Sequence, residues 1–550
     1  MFVSSFALGA ARSSARALLP TVAMLAMFGI LLASPVCRAD LTDNLATSPT
    51  AMSLGNAVTA DPPGIESIHF NPAGLARMTG NTRTDSLFVA SIRTDESFNA
   101  APDLDIGGFK DDPISGTSSG PTKQRLFLPV IGLLPARLPA VAVPGLGFTF
   151  NQPGSPFTFG TLSYIPMAFT IDRSTMPNDP AAFDGKVVDI QRLVYLSPAV
   201  GYKVSDTLRI GMSVPISYAS IAINTDMRFP NPLLGTIGQL QKGTCPDGNG
   251  TIIDTLLFGL CGGGPQGMLN PFEKAANFGL QMTAPFDPTI NLGVLWEPTN
   301  WFALGGVYQG GTSTVYHGTY QFETDPMIRD FVEGLNKSLF GPVLAGITGL
   351  PVQIPPLQSG NLVAKIPFPG RFQFGLKLKP VDALQFNVDV SYAEWSKWNA
   401  LTLQFDRNIG LLEVAHLYGY ANSTQLTLPM GFRSVVNYGF GTELHVTNKL
   451  ALRAGYEPRK SSVPQSALSL IAPLPDTKLK SVGLQYKFDS GGTLNVAASY
   501  LKGSYHIPAR SDCNLNCDGF FNLIYNPYAA ENVSGDIVVR YFGLNYTRPF

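Results

Sequence analysis

The chain has 550 residues, 45% of them hydrophobic and only 14% charged, against roughly 25% charged in an average soluble domain, so a disordered chain is excluded. Lys plus Arg number 38 against 39 Asp plus Glu; with no basic excess to neutralise phosphates, nucleic acid is excluded as a main partner. The 55 Gly, 44 Pro and 11% aromatic residues point to many short strands and turns, an all-β fold.

Residues 1–39 read as a secretory signal peptide. Arg12 and Arg16 precede an uncharged run from Ala17 to Cys37, and Ala39 is the small residue at which a signal peptidase would cut. A permanent helical anchor is the rival, weakened by Pro20 and Pro35; lipoprotein cleavage at Cys37 meets a bulky Val36. Removing three Arg leaves 35 basic against 39 acidic residues, net −4. After Asp40 no second stretch of about 18 uncharged apolar residues follows, which excludes a multi-helix membrane protein.

Residues 40–80 do not alternate in polarity and are rich in Ala, Gly, Ser and Asn. Beyond them one kind of strand recurs. Leu208, Ile210, Met212, Val214, Ile216 and Tyr218 share one face, with small or polar residues between them. Phe372, Phe374, Leu376 and Leu378 turn through Pro380-Val381-Asp382 into Leu384, Phe386, Val388, Val390 and Tyr392, an antiparallel hairpin. The same pattern marks Leu450–Tyr456, Val482–Phe488 and Leu494–Tyr500, with short turns at one end and long polar loops at the other. A soluble sandwich would alternate in the same way. Export, strands of about ten residues and aromatics at strand ends are together what a bilayer-spanning barrel requires, because no sheet edge stays open in lipid. Phe542, Leu544, Tyr546 and the terminal Phe550 share one face; such a last strand resembles the signal read by the barrel assembly machinery, although Pro549 is an unusual neighbour.

Of five Cys, one lies in the signal and the rest form two local pairs, Cys245 with Cys261 and Cys513 with Cys517, candidate disulfides in an oxidising compartment. The rival metal reading of Cys513 and Cys517 lacks an adjacent His. The stretch "DPMIRDFVEGLNKSLFGPVLAGITGL" places Asp325 as cap and Pro326 as first helical residue, with Ile328, Phe331, Val332, Leu335 and Leu339 on one face.

The segment "MSLGNAVTADPPGIESIHFNPAGLARM" resembles the N-terminal hatch of the FadL-type long-chain fatty-acid transporters, with Asn71-Pro72-Ala73 as the family's NPA element and Gly55 and Ala57 in its small-residue pattern. "SYAEWSKW" is similar to a family strand end through Tyr392, Trp395 and Ser396. "SSVPQSALSLIAPLPDTKLKS" resembles a family loop through Val463, Pro464, Pro475 and Asp476, with Thr477 and Lys478 replacing the usual acid-basic pair. The resemblance implies a transmembrane antiparallel β-barrel of about 14 strands over residues 81–550, plugged by a hatch over 40–80, in the bacterial outer membrane.

It further implies transport without bond making. The family's third and fourth external loops capture substrate in an apolar groove, which falls on Leu256, Leu257, Phe258, Phe331, Leu335 and Leu339; loop-on-loop packing is the bland alternative. The family meets the fatty-acid carboxylate with basic side chains, and Met227-Arg228-Phe229 stands at one such step, so Arg228 is the expected carboxylate partner with Phe229 beside it. The family's second basic position, three before Gly431-Phe432, is Leu428 here, which makes a neutral hydrocarbon or monoaromatic the alternative substrate. Lateral exit through a kinked third strand is expected at Pro153 and Gly154, where "GLGFTF" ends.

An enzyme reading finds little. Gly116-Thr117-Ser118-Ser119-Gly120 fits G-x-S-x-G without a strand-to-helix elbow, and none of His69, His317, His416, His445 and His506 forms an HExxH pair. His69 reads as a hatch hydrogen-bonding residue. A porin or adhesin would need an open lumen, which a hatch opposes. The expectation is a monomeric outer-membrane transporter of fatty acid or another hydrophobic small molecule, in contact with outer-membrane lipids and the assembly machinery, with no catalytic residue, metal or cofactor.

Overall fold

The computed structural model describes residues 44–550 apart from 175, 177, 246–247, 249–251, 253, 255–258, 415–421 and 512–526. The signal segment, Leu256, Leu257, Phe258, Cys513 and Cys517 therefore lie outside the described residues.

Fourteen antiparallel wall strands close into a barrel, as the family resemblance implies. They are β1 Thr82–Ala100, β2 Val141–Phe150, β3 Phe157–Asp172, β4 (Val187–Leu196 and Ala199–Lys203), β5 (Leu208–Ser213 and Ile216–Met227), β6 (Ala276–Pro288 and Asn291–Thr299) and β7 (Phe302–Gln309 and Thr312–Thr324). The circuit continues through β8 (Leu357–Phe368 and Arg371–Val381), β9 (Leu384–Ala393 and Ala400–Phe405), β10 (Gln425–Pro429 and Val435–His445), β11 Leu450–Arg459, β12 Thr477–Lys487, β13 Thr493–Ile507 and β14 Glu531–Pro549. β14 pairs with β1 from Thr82↔Pro549 to Ala100↔Glu531, leaving no edge.

The half of the wall beside the short turns carries an outward apolar belt bounded by aromatics. Phe157, Trp296, Trp301, Phe386, Tyr486 and Phe550 are exposed near the turns, and Tyr195, Phe286, Phe372, Tyr392, Tyr456 and Tyr500 about a belt-height above. Two aromatic girdles flanking an apolar band of about 25 Å are what a bilayer demands.

Strands β4 to β10 break at one level, just above this belt. Several of the breaks hold residues that interrupt or bend a ladder: Pro198, Pro215, Gly310-Gly311 and Pro369-Gly370. The strand inverts at the break or close to it; in β6 the inversion lies at Pro285-Phe286, where the register with β5 shifts between Ser217 and Ala219. In β6 the even positions Leu292, Val294 and Trp296 face lipid below it, whereas Phe278, Leu280 and Met282 are buried inside the wall above it. β7 and β8 do the same, with Leu304, Phe372 and Phe374 outside below, and Tyr316, Phe322, Leu362 and Ile366 inside above. The upper wall is consequently apolar within and polar without.

The N-terminal segment, with helices α1 Pro49–Ser53 and α2 Ser67–Phe70 and a 3-10 turn Pro72–Arg77, is buried against the inner face of the lower wall. Glycines admit it. A Cβ on Gly455 would lie 2.1 Å from the Gly55 nitrogen, one on Gly305 2.0 Å from the Thr59 carbonyl, and one on Gly211 2.2 Å from Pro72. Gly55 itself, at φ +62°, fits against the backbones of Phe440 and Tyr456 as no side-chain-bearing residue could.

Candidate functional site

The N-terminal segment is held by side chains the family motif contains and by others it does not. Asn71 donates to the Thr59 carbonyl at 2.8 Å and to the Val294 carbonyl of β6 at 3.0 Å, while its Oδ1 accepts from Ala73 N–H; Pro72 and Ala73 are buried with it. Asp389 of β9 accepts the Val58 and Thr59 N–H groups at 2.9 and 2.8 Å. At the turn end, Arg77 reaches Asp61 at 2.8 Å and Glu297 of β6 at 2.5 Å, and Arg209 and Lys377 join the same carboxylates. Burial alone would raise the Asp61 carboxyl, but the Arg77 and Lys377 charges and the Gln385 amide outweigh it and hold it near about 2.

Above the segment, at the level of the strand breaks, lies a cavity of about 80 Å³. Its polar lining includes Asn44, His69, Tyr164, Arg192, Gln309 and Arg371; Met167, Val194, Phe368 and Trp395 supply apolar surface. Arg192 pairs with Asp287 at 2.7 Å and stacks over Phe368. Burial, then the Arg371 and Arg192 charges, push His69 down to about 3, so the imidazole is neutral. It is the hydrogen-bonding residue the sequence predicts: Nε2–H donates to Asn44 Oδ1 at 2.6 Å and Nδ1 faces the Tyr164 hydroxyl at 3.1 Å, a tautomer assigned from these partners. The buried rings of the upper wall stand over the cavity, with Phe278 and Phe322 at 4.3 Å and Tyr320 and Phe405 at 4.8 Å between centroids.

A second, apolar pocket of about 40 Å³ lies at the wall between β2 and β3. These strands pair only from Leu146↔Ser163 to Phe150↔Phe159. Beyond Ser163, β3 shifts register between Tyr164 and Met167, at Ile165-Pro166, and pairs onward with β4 alone. Val141, Val143, Ile165 and Ala168 border the resulting gap, Leu45 and Ala46 fill it from within, and the Lys123↔Asp172 bridge closes its top. Asn44 lines the central cavity and its two successors line the lateral one, so three residues separate the two spaces.

Two sequence expectations are corrected. Pro153 and Gly154 sit in the short turn between β2 and β3, which the Asn151 side chain closes onto the Phe157 carbonyl at 2.9 Å; the wall is paired there. "GLGFTF" belongs to the second wall strand, and pairing fails a dozen residues later, where Pro166 lacks a donor. Arg228 does not present its guanidinium to a lumen. It is fully buried among the loops in a bidentate pair with Asp112 at 2.7 and 2.9 Å, donates to the Pro527 carbonyl and packs over Phe183.

The loop residues divide. Helices α3 Pro232–Thr244 and α4 Pro326–Asn336 contribute to one apolar cluster, in which Phe331 and Leu335 are buried with Leu269, Ala275 and Ile354 and Phe229 packs beside them. Leu339 is exposed, and with Phe340, Val343 and Ile347 of helix α5 Gly341–Thr348 it forms an apolar outer stripe. Cys245 and Cys261 form the disulfide. Leu428 packs against the buried upper wall, and Phe432 stacks on Trp398 at 5.5 Å.

Sequence reading missed Asn44, Tyr164, Arg192, Arg371 and Asp389. The available signal was Arg, Asp or Tyr on the otherwise small inward face of a wall strand; the inward glycines of successive strands were another.

Comparison with known proteins agrees with this geometry. The model of a family described as outer membrane protein transport protein (OMPP1/FadL/TodX) matches residues 37–550. A long-chain fatty acid transport protein of Escherichia coli O6:H1 is 24% identical over 214 residues, which span 39% of this chain and 42% of that protein. Among solved structures, a Pseudomonas aeruginosa FadL homologue is similar with a TM-score of 0.62 at 16% identity, covering 93% of this chain and 100% of that one. The Ralstonia pickettii toluene transporter TbuX gives 0.55 at 15% identity, covering 92% and 98%.

Proposed function

Since this chain belongs to the OMPP1/FadL/TodX family of outer-membrane transport proteins for hydrophobic compounds, we propose that its substrate is a long-chain fatty acid, bound tail-up against the rings of the upper wall with its carboxylate at Arg371 and Arg192. The observation that carries this reading is that two guanidiniums, Arg371 and the Arg192 that pairs with Asp287, line one small cavity together with the polar side chains of Tyr164 and Gln309. A carboxylate there gains charge-assisted hydrogen bonds in a water-poor site, where they count most. The ring-lined wall favours a second reading, a neutral monoaromatic, which would use the rings and ignore the arginines.

In the transport cycle we infer, a ligand lands on the exposed stripe Leu339, Phe340, Val343 and Ile347, passes to the cavity, and leaves sideways. Residues 40–80 act as the hatch: the charged cluster at Arg77 keeps the turn end shut, while displacement of Asn44 to Ala46 joins the cavity to the gap between β2 and β3. Passage is downhill and needs no nucleotide or ion gradient.

The test is equilibrium binding of a long-chain fatty acid to the detergent-folded protein, with toluene as competitor, for the parent chain and Arg371→Ala. Loss of about tenfold or more in affinity in the variant, about 1.4 kcal/mol, supports the carboxylate site. Indifference to Arg371 with strong toluene competition turns the assignment to a neutral aromatic, and failure of both ligands to bind rejects the site. For the exit, Ala168→Trp should slow uptake while leaving binding intact; unchanged uptake would move the exit elsewhere.

A further inference from the structure

The inverted upper wall leaves a polar surface outside, above the lipid-facing belt, and that surface is neither flat nor highly charged. Over β5 to β8 it forms an open groove of about 760 Å³, within the range of about 300–1,000 Å³ usual for ligand sites. Its floor is two cross-strand rows. Gln281, Thr319 and Asn361 stand opposite one another on β6, β7 and β8, and Asn224, Gly279, Gln321 and Ser359 form the next row. These side chains point away from the buried apolar face, and Gln281, Gln321, Ser359 and Asn361 are exposed.

A solvated sheet face resists edge and face association with Lys and Glu. Here the exposed side chains of the two rows are amides and hydroxyls, each able to donate and accept, and Gly279 keeps the floor low beside Asn224. One wall of the groove is a hairpin of the first external loop, Gln124–Leu128 with Gly132–Leu138, which crosses the outside of the barrel and donates Leu133 N–H to Gln281. Charge gathers at this rim. Arg125 at 2.7 Å and Arg137 at 3.6 Å share Asp172, and Lys186 at 2.9 Å and Lys274 at 3.2 Å share Asp226. Four bases against these two acids and the exposed Glu323, which stands opposite Asn277 on the same face, leave a surplus of one positive charge; at the far end Asp406 is offset by Arg407.

We propose that this groove binds the anionic, phosphate- and carboxylate-bearing oligosaccharide headgroup of the outer-leaflet glycolipid. The occupant follows from position and chemistry together. The belt directly below lies in the acyl chains, so the groove stands where the sugars of the same lipids surround the barrel. Rows of amides and hydroxyls match the paired donors and acceptors of a sugar, and the rim surplus matches its acidic groups. The interface continues the lipid-facing one upward and orients the first-loop hairpin beside the gap between β2 and β3.

The experiment measures binding of lipid-free core oligosaccharide, released from lipopolysaccharide and still phosphorylated, to the folded barrel in an uncharged detergent. Saturable binding is expected, weakened about tenfold or more by Gln321→Ala with Asn361→Ala, both exposed and outside any buried contact, and by Lys274→Glu with Arg137→Glu. Dephosphorylated oligosaccharide should bind more weakly than the phosphorylated form. No saturable binding, or affinity unchanged in both double variants, overturns the proposal. If lipid A without core sugars binds and the oligosaccharide does not, the contact is with acyl chains on the belt and the groove assignment falls; equal binding of neutral oligosaccharide overturns the anionic part.

Discussion

Asn44 donates its backbone N–H to the carbonyl of Pro166 at 2.9 Å, so the inner segment is fastened to the wall at the residue where β3 parts from β2. The Asn44 side chain is fixed in turn by His69, and His69 by Tyr164, two residues before that Pro. Cavity, inner segment and wall gap thus share one short chain of hydrogen bonds. A ligand that disturbs His69 or Tyr164 acts on the fastening of the gap.

His69→Phe should loosen this fastening. It removes two buried hydrogen bonds and leaves Asn44 Oδ1 unpaired, a cost of about 1–3 kcal/mol. We expect faster amide exchange at residues 44–46 with the barrel ladder unaffected. Protection equal to the parent chain would show that the Pro166 bond alone holds the segment.

The inward glycines give a steric prediction with an internal control. Gly455→Val places atoms on the Gly55 backbone, already 2.1 Å from an added Cβ, and neither partner is a flexible side chain. The segment should be driven from its seat and steady ion conductance should appear in planar bilayers. Gly306→Ala, whose Cβ meets only Val294 and Phe374 side chains at 3.3 Å or more on the outer face, should leave the barrel closed.

Arg228 and Arg371 should behave differently. Arg228→Ala strands the buried Asp112 charge and should destabilise the loop assembly by about 3–5 kcal/mol, read as a lower melting temperature. Adding Asp112→Ala should restore much of that loss, and the double variant should bind fatty acid as the parent does. Loss of binding in the stable double variant would return Arg228 to the ligand site.

The seating of the inner segment should depend on pH through Glu66. Burial pushes its carboxyl up to about 7, against a contrary pull from its own backbone N–H, from Asn545 and from the Arg453 charge. A folded value above the ordinary 4.5 means that the seated form binds the proton more tightly than the released one. Stability from this group is therefore complete below about pH 4.5 and is lost as pH rises through about 7. Protease access to the segment should increase from pH 5 to pH 8, and Glu66→Gln should flatten the profile. An opposite slope, or one unchanged in Glu66→Gln, would exclude this group as its source.

The sequence by itself determined the period-two apolar pattern, the short turns and long loops, and, through Asn71-Pro72-Ala73 and the further matches along the chain, the family with its closed barrel. Those are local properties: alternation, turn chemistry and a motif are written in consecutive residues. Tertiary structure decided which way each apolar face points. Along β6, Phe278, Leu280 and Met282 share parity with Leu292, Val294 and Trp296, yet the first set is buried within the wall and the second meets lipid. Nothing in the alternation distinguishes them, because the inversion occurs at Pro285-Phe286, where the register with β5 shifts between Ser217 and Ala219, a geometry that depends on the neighbouring strand. The same holds for the arginines. Arg228 and Arg371 both stand at strand ends, and only the folded chain brings Asp112, 116 residues away, onto the first and the second to the cavity that His69 also lines.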